Sequence, residues 1–467
     1  MPKSNDSTPP QARTPTVAGY SQGLLYTHRE GLYDLLMPSS AVESTVLSFE
    51  DARRAVEHHA SRITAPATEN VPLLDAAHRI LAEPVHADRD IPPFRRSTRD
   101  GFAVCAAGLA QIPARLKLIG EIKAGPDHNP RAIQPGETYS IMTGAPVPDG
   151  ADAVVMVEYS SQSEGIVEIR KAIEPGENMV PQGAEAACGM LLLGRGTRLN
   201  EAAIALAASV GKSSLQVFAR PRVAILSTGD EIVDIEAQPG PAQIRNSNSY
   251  SLAVQIREAG GEPLILPIAP DEPLRLRELI DEGLESDLLI MTGGVSMGRH
   301  DIVEPVLSQL HAEFFFTGAR IQPGRPVVFG GIRRAARAPA SKPDLSRLPD
   351  ALDSRHKYFF GLPGNPASTM VTFELFARPI VEALSGMKPG SLTFLHARLK
   401  SRIHVKPGLT RFLPALLSGE FGETRVELVR WHGSGDIAAQ SRSNCYVVIP
   451  PDRGSIPGGD WIAVLLR

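Results

Sequence analysis

Apolar positions along this chain fall mostly in short runs, and three of those runs end alike. Arg222-Val-Ala-Ile-Leu-Ser-Thr-Gly-Asp-Glu231, Asp287-Leu-Leu-Ile-Met-Thr-Gly-Gly-Val-Ser-Met-Gly298 and Tyr358-Phe-Phe-Gly-Leu-Pro-Gly-Asn-Pro-Ala-Ser368 each pass from apolar residues into Gly, Ser, Thr or Asn. A run without polar alternation suits a strand covered on both faces, as in a parallel sheet. Helical patterns lie between and after them. One spans about 248–259 and is stopped by Gly260-Gly261, one spans 272–285, and one starts at Pro366 and reaches about Leu384. A further strand is expected at 264–266. This alternation predicts a doubly wound α/β domain over residues 219–388.

The remainder patterns differently. Residues 1–44 are rich in Ser, Thr, Pro and Gln and read as a disordered tail. Ser48-Phe-Glu-Asp51 predicts a capped helix start, with the helix reaching about Ile63. A second helix is expected from Leu73 to Ala82, before Pro84, and a third from Asn200 to Val210, entered through an Asn cap. Residues 45–90 and 180–218 together read as an N-terminal linker domain. Residues 91–179 carry short strands and turns and read as a β-rich module. Residues 389–467 carry apolar runs at 396–399, 426–429, 446–449 and 461–465, which predict a small β-barrel or sandwich. The basic, proline-bearing stretch 332–357 separates two apolar runs and reads as an insertion in a hairpin.

Composition narrows the function classes. The 467 residues are 42% hydrophobic with a net charge of -4, so neither nucleic acid nor an anionic membrane is an expected partner. No apolar run reaches the length that spans a bilayer, and Met1-Pro-Lys-Ser-Asn-Asp-Ser7 lacks the apolar core of a secretory signal. The three cysteines, Cys105, Cys188 and Cys445, are far apart and odd in number, which fits a reducing cytoplasm and leaves no CxxC metal site. Cys445 sits in an apolar run and is expected in a core.

The three loops carry the chemistry. In open α/β sheets ligands bind at the carboxyl ends of the strands. Ser227, Thr228 and Gly229, then Thr292, Gly293, Gly294, Ser296 and Gly298, then Pro363, Gly364, Asn365 and Pro366 would present N–H groups and hydroxyls to an anion. The carboxylates Asp230, Glu231 and Asp301 stand among them, and carboxylates beside a bound phosphate imply a bridging divalent cation.

These motifs in this order, from about residue 48 to 467, resemble the molybdopterin molybdenumtransferase family, that is MoeA and the E domain of gephyrin. Ser227-Thr-Gly-Asp-Glu231, Thr292-Gly-Gly-Val-Ser-Met-Gly298, Pro323-Gly-Arg-Pro326 and Gly361-Leu-Pro-Gly-Asn-Pro366 carry the resemblance jointly, supported by Met142-Thr-Gly-Ala-Pro-Val-Pro148 and Asp100-Gly-Phe-Ala103. The resemblance implies an α/β multidomain enzyme that inserts molybdate into adenylylated molybdopterin with release of AMP. It implies a homodimer whose pterin cleft is completed by the partner's β module, a magnesium ion held by Glu231 and Asp301, and catalytic roles for Asp100, Thr143, Glu231 and Asp301. It also implies ligand contacts from Pro323, Gly324 and Arg325, and from Arg411 and Ser434 in the C-terminal domain. A pterin adenylyltransferase and molybdoenzymes are its implied protein partners. The chain departs from the family where Val180-Pro-Gln-Gly-Ala-Glu185 replaces an Arg-x-x-Gly-Glu-Asp pattern. It departs again where Gln322 and Arg325 replace lysines, and where Ser97-Thr-Arg-Asp100 replaces Ser-Ala-Met-Asp. A pterin adenylyltransferase and an inactive scaffold of the same fold remain alternatives.

Overall fold

A computed structural model describes residues 45–64, 66–125, 130–294, 302–333, 356–388 and 390–467. Helix α1 (Phe49–Ser61) begins at Ser48, whose hydroxyl accepts from the Asp51 N–H at 3.0 Å. This bond satisfies one of the orphan donors of the first turn. Helix α2 (Glu201–Ser209) is capped in the same way, with the Asn200 carboxamide oxygen accepting from the Ala203 N–H at 2.9 Å. Strand Thr68–Pro72 pairs antiparallel with Ser214–Phe218. The pairing joins residues 45–90 and 180–218 around one core that includes Leu81, Val85, Leu199 and Leu215.

The helix expected over 73–82 does not form. Only Leu73–Ala76 makes a single tight turn, and His78 has a φ of 64°. From there the backbone bonds outward: His78 N–H to Leu199 O, Leu81 N–H to Thr197 O, and Ala82 N–H to Gln216 O. The apolar spacing that resembles a helix face belongs to an irregular edge buried by its neighbours, and long-range pairing outweighs local propensity.

The module at 91–179 is a sheet of six strands: β1 (Gly101–Val104), β2 (Ala114–Ile122), β3 (Glu137–Ile141), β4 (Ala153–Met156), β5 (Ser160–Ser163) and β6 (Ile166–Ile169). Their order is β4-β1-β3-β2-β6-β5.

The α/β unit contains β7 (Arg222–Ser227), β8 (Glu262–Ile265), β9 (Leu288–Thr292), β10 (Glu313–Phe316), β11 (Val328–Arg333) and β12 (His356–Leu362), in the order β8-β7-β9-β12-β11-β10. The first four strands are mutually parallel, and β11 runs antiparallel to both β12 and β10. Its helices are α3 (Asn248–Glu258), α4 (Pro273–Gly283), α5 (Val303–Gln309), α6 (Pro366–Thr372) and α7 (Arg378–Leu384), with a π-helical turn at Phe373–Ala377 between the last two. Period-two alternation sends Val223 and Ile225 to the face covered by α1, α3 and α7, and Ala224 and Leu226 to the face covered by α4 and α5. Both faces are therefore dry, which is why β7 reads as an unbroken apolar run. Each fully buried aliphatic side chain contributes about 1.5–3 kcal/mol.

The C-terminal strands β13 (Phe394–Leu399), β14 (Thr410–Ser418), β15 (Arg425–Leu428), β16 (Cys445–Ile449) and β17 (Trp461–Leu466) close into a barrel, ordered β14-β15-β13-β17-β16 with β16 returning to β14. Cys445 is in its core. The barrel region also holds one short helix, α8 (Ile437–Arg442), started by the Asp436 carboxylate on the Ala439 N–H, where only strands were expected. Ile321 and Gln322 add a parallel rung to β14 and bind the barrel to the α/β unit. No helix among the described residues is long and apolar enough to cross a membrane.

Candidate active site at the carboxyl ends of the sheet

Strands β7, β9 and β12 end side by side, and the loops that follow them wall a cleft of about 360 Å³. Its walls include Thr228, Glu231, Thr292, Gly293, Gly294 and the segment Pro363–Pro366. The loops pack backbone against backbone. A Cβ added to Gly293, whose φ is 89°, would lie 2.4 Å from the Thr228 carbonyl oxygen, so only glycine fits there. The Gly364 position is 3.4 Å from the Gly293 Cα by the same measure. Gly229, with a φ of 133°, gives the Glu231 carboxylate room to fold back over it, since a Cβ there would meet Glu231 Oε2 at 2.4 Å.

The N-terminal end of α3 supplies the remaining wall through Arg245, Asn246, Ser247 and Asn248. None of these four was expected from the sequence. The detectable signal was the run Asn246-Ser-Asn-Ser249, whose residue types favour a helix start facing a ligand. The Ser227 hydroxyl donates to Asn246 Oδ1 at 3.0 Å and lies 2.9 Å from the Ser249 hydroxyl, so it is engaged within the wall. Asn248 Nδ2 donates to Thr292 Oγ1 at 3.0 Å and to the Gly364 carbonyl at 2.7 Å. Thr292 Oγ1 in turn donates to the Pro363 carbonyl at 3.2 Å. Asp230 is exposed, and its Oδ1 accepts from the Asp271 N–H at 3.1 Å. Burial, followed by the nearby Asp230 charge, raises the Asp271 carboxyl above its ordinary range.

A second cleft of about 460 Å³ opens next to the first and shares Pro326, Pro363 and Asn365 with it. It lies between the loop Gln322–Pro326 and the barrel residues Leu409, Trp431, Gly433 and Ser434. The Ala367 N–H, in the first turn of α6, donates to the Ser434 carbonyl at 2.9 Å and seals the junction. Pro323 and Gly324 line this cleft, and Arg325 stands exposed at it without a side-chain hydrogen bond among the described residues. Arg411, in contrast, is 9% exposed and donates through Nη2 to the Lys406 carbonyl at 2.6 Å. It lines neither cleft.

Asp100 and Thr143 come together on the β module. The Thr143 N–H and hydroxyl donate to Asp100 Oδ1 at 2.6 and 2.9 Å. These bonds, the backbone one first, hold the exposed Asp100 carboxyl below its usual range. Neither residue lines the two clefts of the same chain. Ser296, Gly298 and Asp301 lie outside the described residues, as does most of the expected insertion. The strands flanking that insertion do form a hairpin, with Arg333 opposite His356. Among the described residues no group of three or more His, Cys, Asp or Glu side chains converges as a metal site.

Residues 47–211 match the MoeA N-terminal region (domain I and II), residues 224–383 a probable molybdopterin binding domain, and residues 396–466 the MoeA C-terminal region (domain IV). The molybdopterin molybdenumtransferase of a Nostoc species is 33% identical over 85% of this chain and 88% of its own. That of Bacillus subtilis is 32% identical over 85% of this chain and 90% of its own. Among solved structures, a molybdopterin biosynthesis moeA protein from Pyrococcus horikoshii OT3 superimposes with a TM-score of 0.71 at 25% identity, covering 90% of this chain and all of that one. With three consecutive regions matched and relatives similar across nearly their full length, this chain belongs to the molybdopterin molybdenumtransferase (MoeA) family.

Proposed function

We propose that this protein is the enzyme that inserts molybdate into adenylylated molybdopterin, forming the molybdenum cofactor and releasing AMP. The supporting observation is the pair of adjoining clefts, one walled by glycine loops and helix N-termini, the other carrying the exposed cation Arg325. Both substrates are anions, so bringing them together works against Coulomb repulsion. Backbone N–H groups of the glycine loops would take the phosphates. Arg325 would grip molybdate through parallel N–H bonds, a geometry available to a guanidinium and not to an ammonium.

Glu231 presents its carboxylate to the first cleft, and with Asp301 it would hold magnesium. Magnesium keeps several waters and takes one or two carboxylates plus substrate phosphate oxygens, so a closed protein cage is not required. When bound, the ion would neutralise phosphate charge. No side chain acts as a nucleophile in this reading. Insertion is ligand exchange at molybdenum, AMP leaves when water attacks the phosphoanhydride that joins it to the pterin phosphate, and holding the reactants in register supplies most of the acceleration. Asp100 and Thr143 would enter the cleft of a twofold-related partner, which makes the homodimer the working unit. The domain boundaries expected from sequence, the supply of substrate by a pterin adenylyltransferase in the cytoplasm, and delivery to molybdoenzymes belong to the same proposal.

The test is molybdate-dependent release of AMP from adenylylated molybdopterin. Release that needs both molybdate and the protein supports the reading. Release without molybdate, or none at all, overturns it.

A further inference from the structure

The two asparagines that open α3 differ in one respect. Both ends of the Asn246 carboxamide are engaged: its Oδ1 accepts from the Ser227 hydroxyl at 3.0 Å and the Ser249 N–H at 3.2 Å, and its Nδ2 donates to Ser249 Oγ at 3.0 Å. Asn248 uses both protons of Nδ2, on Thr292 Oγ1 and on the Gly364 carbonyl. A carbonyl only accepts, so the bond to Gly364 fixes which end of the carboxamide faces it. The other end, Asn248 Oδ1, is buried and has no partner among the described residues. Thr228 Oγ1 is likewise buried and unpartnered, in a residue 2% exposed. Both residues line the same cleft.

A buried acceptor without a donor costs about 1–3 kcal/mol, so such atoms in a cleft mark places that a ligand completes. The chemistry of the two atoms then constrains the ligand. A carboxamide oxygen cannot bind phosphate or molybdate, because two acceptors repel. A hydroxyl serves either as donor or as acceptor. Resting on the functional reading above, we propose that Asn248 sets specificity in the first cleft. Its Oδ1 accepts a hydrogen bond from an amine, ring N–H or hydroxyl on the non-phosphate part of the adenylylated pterin, while the loop N–H groups take the phosphates. Asn248 thus both ties the second loop to the third and reads the organic part of the substrate.

Two variants separate these roles. Asn248→Ala removes the tether and the acceptor. Asn248→Asp keeps an oxygen at the Oδ1 position but loses the donors to Thr292 and Gly364. The measurements are KM for adenylylated molybdopterin in molybdate-dependent AMP release, Kd for inorganic pyrophosphate, and the melting temperature. Asn248→Ala is expected to raise KM about five- to a hundredfold, the loss of one buried hydrogen bond, with a smaller loss for pyrophosphate, which reports what the lost tether costs the phosphate loops. Asn248→Asp is expected to recover most of the KM loss while melting lower than wild type, and pyrophosphate reports separately what its added charge costs. Equal KM losses in both variants, or equal losses for pyrophosphate and the full substrate, would reduce Asn248 to a tether and overturn the proposal. Should Asn248→Ala not fold, Asn248→Leu, which keeps the volume and lacks both the tether and the acceptor, is judged by the same comparison of full substrate with pyrophosphate. A wild-type protein that releases no AMP overturns the functional reading and this inference with it. Normal wild-type release with unchanged KM in both variants overturns the inference alone.

Discussion

The carboxyl end of the α/β sheet and its far edge share strand β12 and are built to opposite ends. At the carboxyl end, loops pack backbone to backbone at glycines, Thr228 Oγ1 and Asn248 Oδ1 are buried without partners among the described residues, and Glu231 and Arg325 stand exposed. At the edge formed by β10, β11 and β12, aromatic rings pile up against α1. His59 stacks on Phe315 with centroids 3.8 Å apart, Phe329 stacks on Phe360 at 4.5 Å, and Tyr358 and His356 complete the group. Burial, then the neighbouring His58, His356 and Arg62, pushes His59 down to about 4, and burial lowers His356 as well. The edge thus keeps its titratable groups neutral and uses them for packing. The carboxyl end keeps its charges and hydrogen-bonding capacity available. Close aromatic packing at one place and exposed charge at the other are what allow a preorganised site.

The largest expected effect is at the glycine junction. Gly293→Ala forces a side chain into a φ of 89° and against the Thr228 carbonyl. The backbone strain alone is about 1–3 kcal/mol, and the displaced loop should abolish turnover; thermal melts and AMP release check both. Arg325→Ala should come next, raising half-saturation by molybdate about ten- to a hundredfold, the value of a charge-assisted hydrogen bond. Arg325→Lys should recover part of that loss, and equal half-saturation in all three proteins would make Arg325 a solvated surface arginine.

The edge should respond to acid instead. The folded pKa of His59, about 4, lies below its ordinary 6.5, so between these values the unfolded chain binds a proton that the folded chain declines. Stability from this group is complete above the ordinary value and falls as pH drops through that window. His59→Phe should therefore narrow the difference in melting temperature between neutral and mildly acidic buffer, and an unchanged difference would place the acid sensitivity elsewhere. The smallest effect is expected from replacing residues 334–355 with an Asn-Gly turn, because Arg333 and His356 already face each other as the last hairpin pair. Melting temperature and turnover should stay near wild type.

Much of this was legible in the sequence, for identifiable reasons. Strands β7, β9 and β12 announced themselves because burial on both faces removes polar alternation, and the glycine loops followed from where those runs stop. The caps at Ser48 and Asn200 are local chemistry and read correctly. The segment 73–82 misled because its apolar spacing is helical, while its backbone is satisfied by residues more than a hundred positions away. Asn248 was missed because its partners, Thr292 and Gly364, are distant in sequence and only the closed sheet brings them together. Arg411, which the resemblance implies at a ligand, lines neither cleft: its Nη2 donates to the Lys406 carbonyl, a contact no pattern encodes, and its Nε is buried without a partner among the described residues.

The most direct measurement compares Glu231→Gln with His59→Phe in molybdate-dependent AMP release at neutral pH. Both substitutions are close in size to the original residue, and each removes a titratable group from one of the two regions. Chemistry confined to the carboxyl end requires Glu231→Gln to lose at least tenfold in turnover (about 1.4 kcal/mol) with an unchanged melting temperature and a raised magnesium requirement, while His59→Phe turns over like wild type. Wild-type turnover and magnesium dependence in Glu231→Gln, or a comparable loss in His59→Phe, would contradict the division of the molecule into a reactive end and a packing edge.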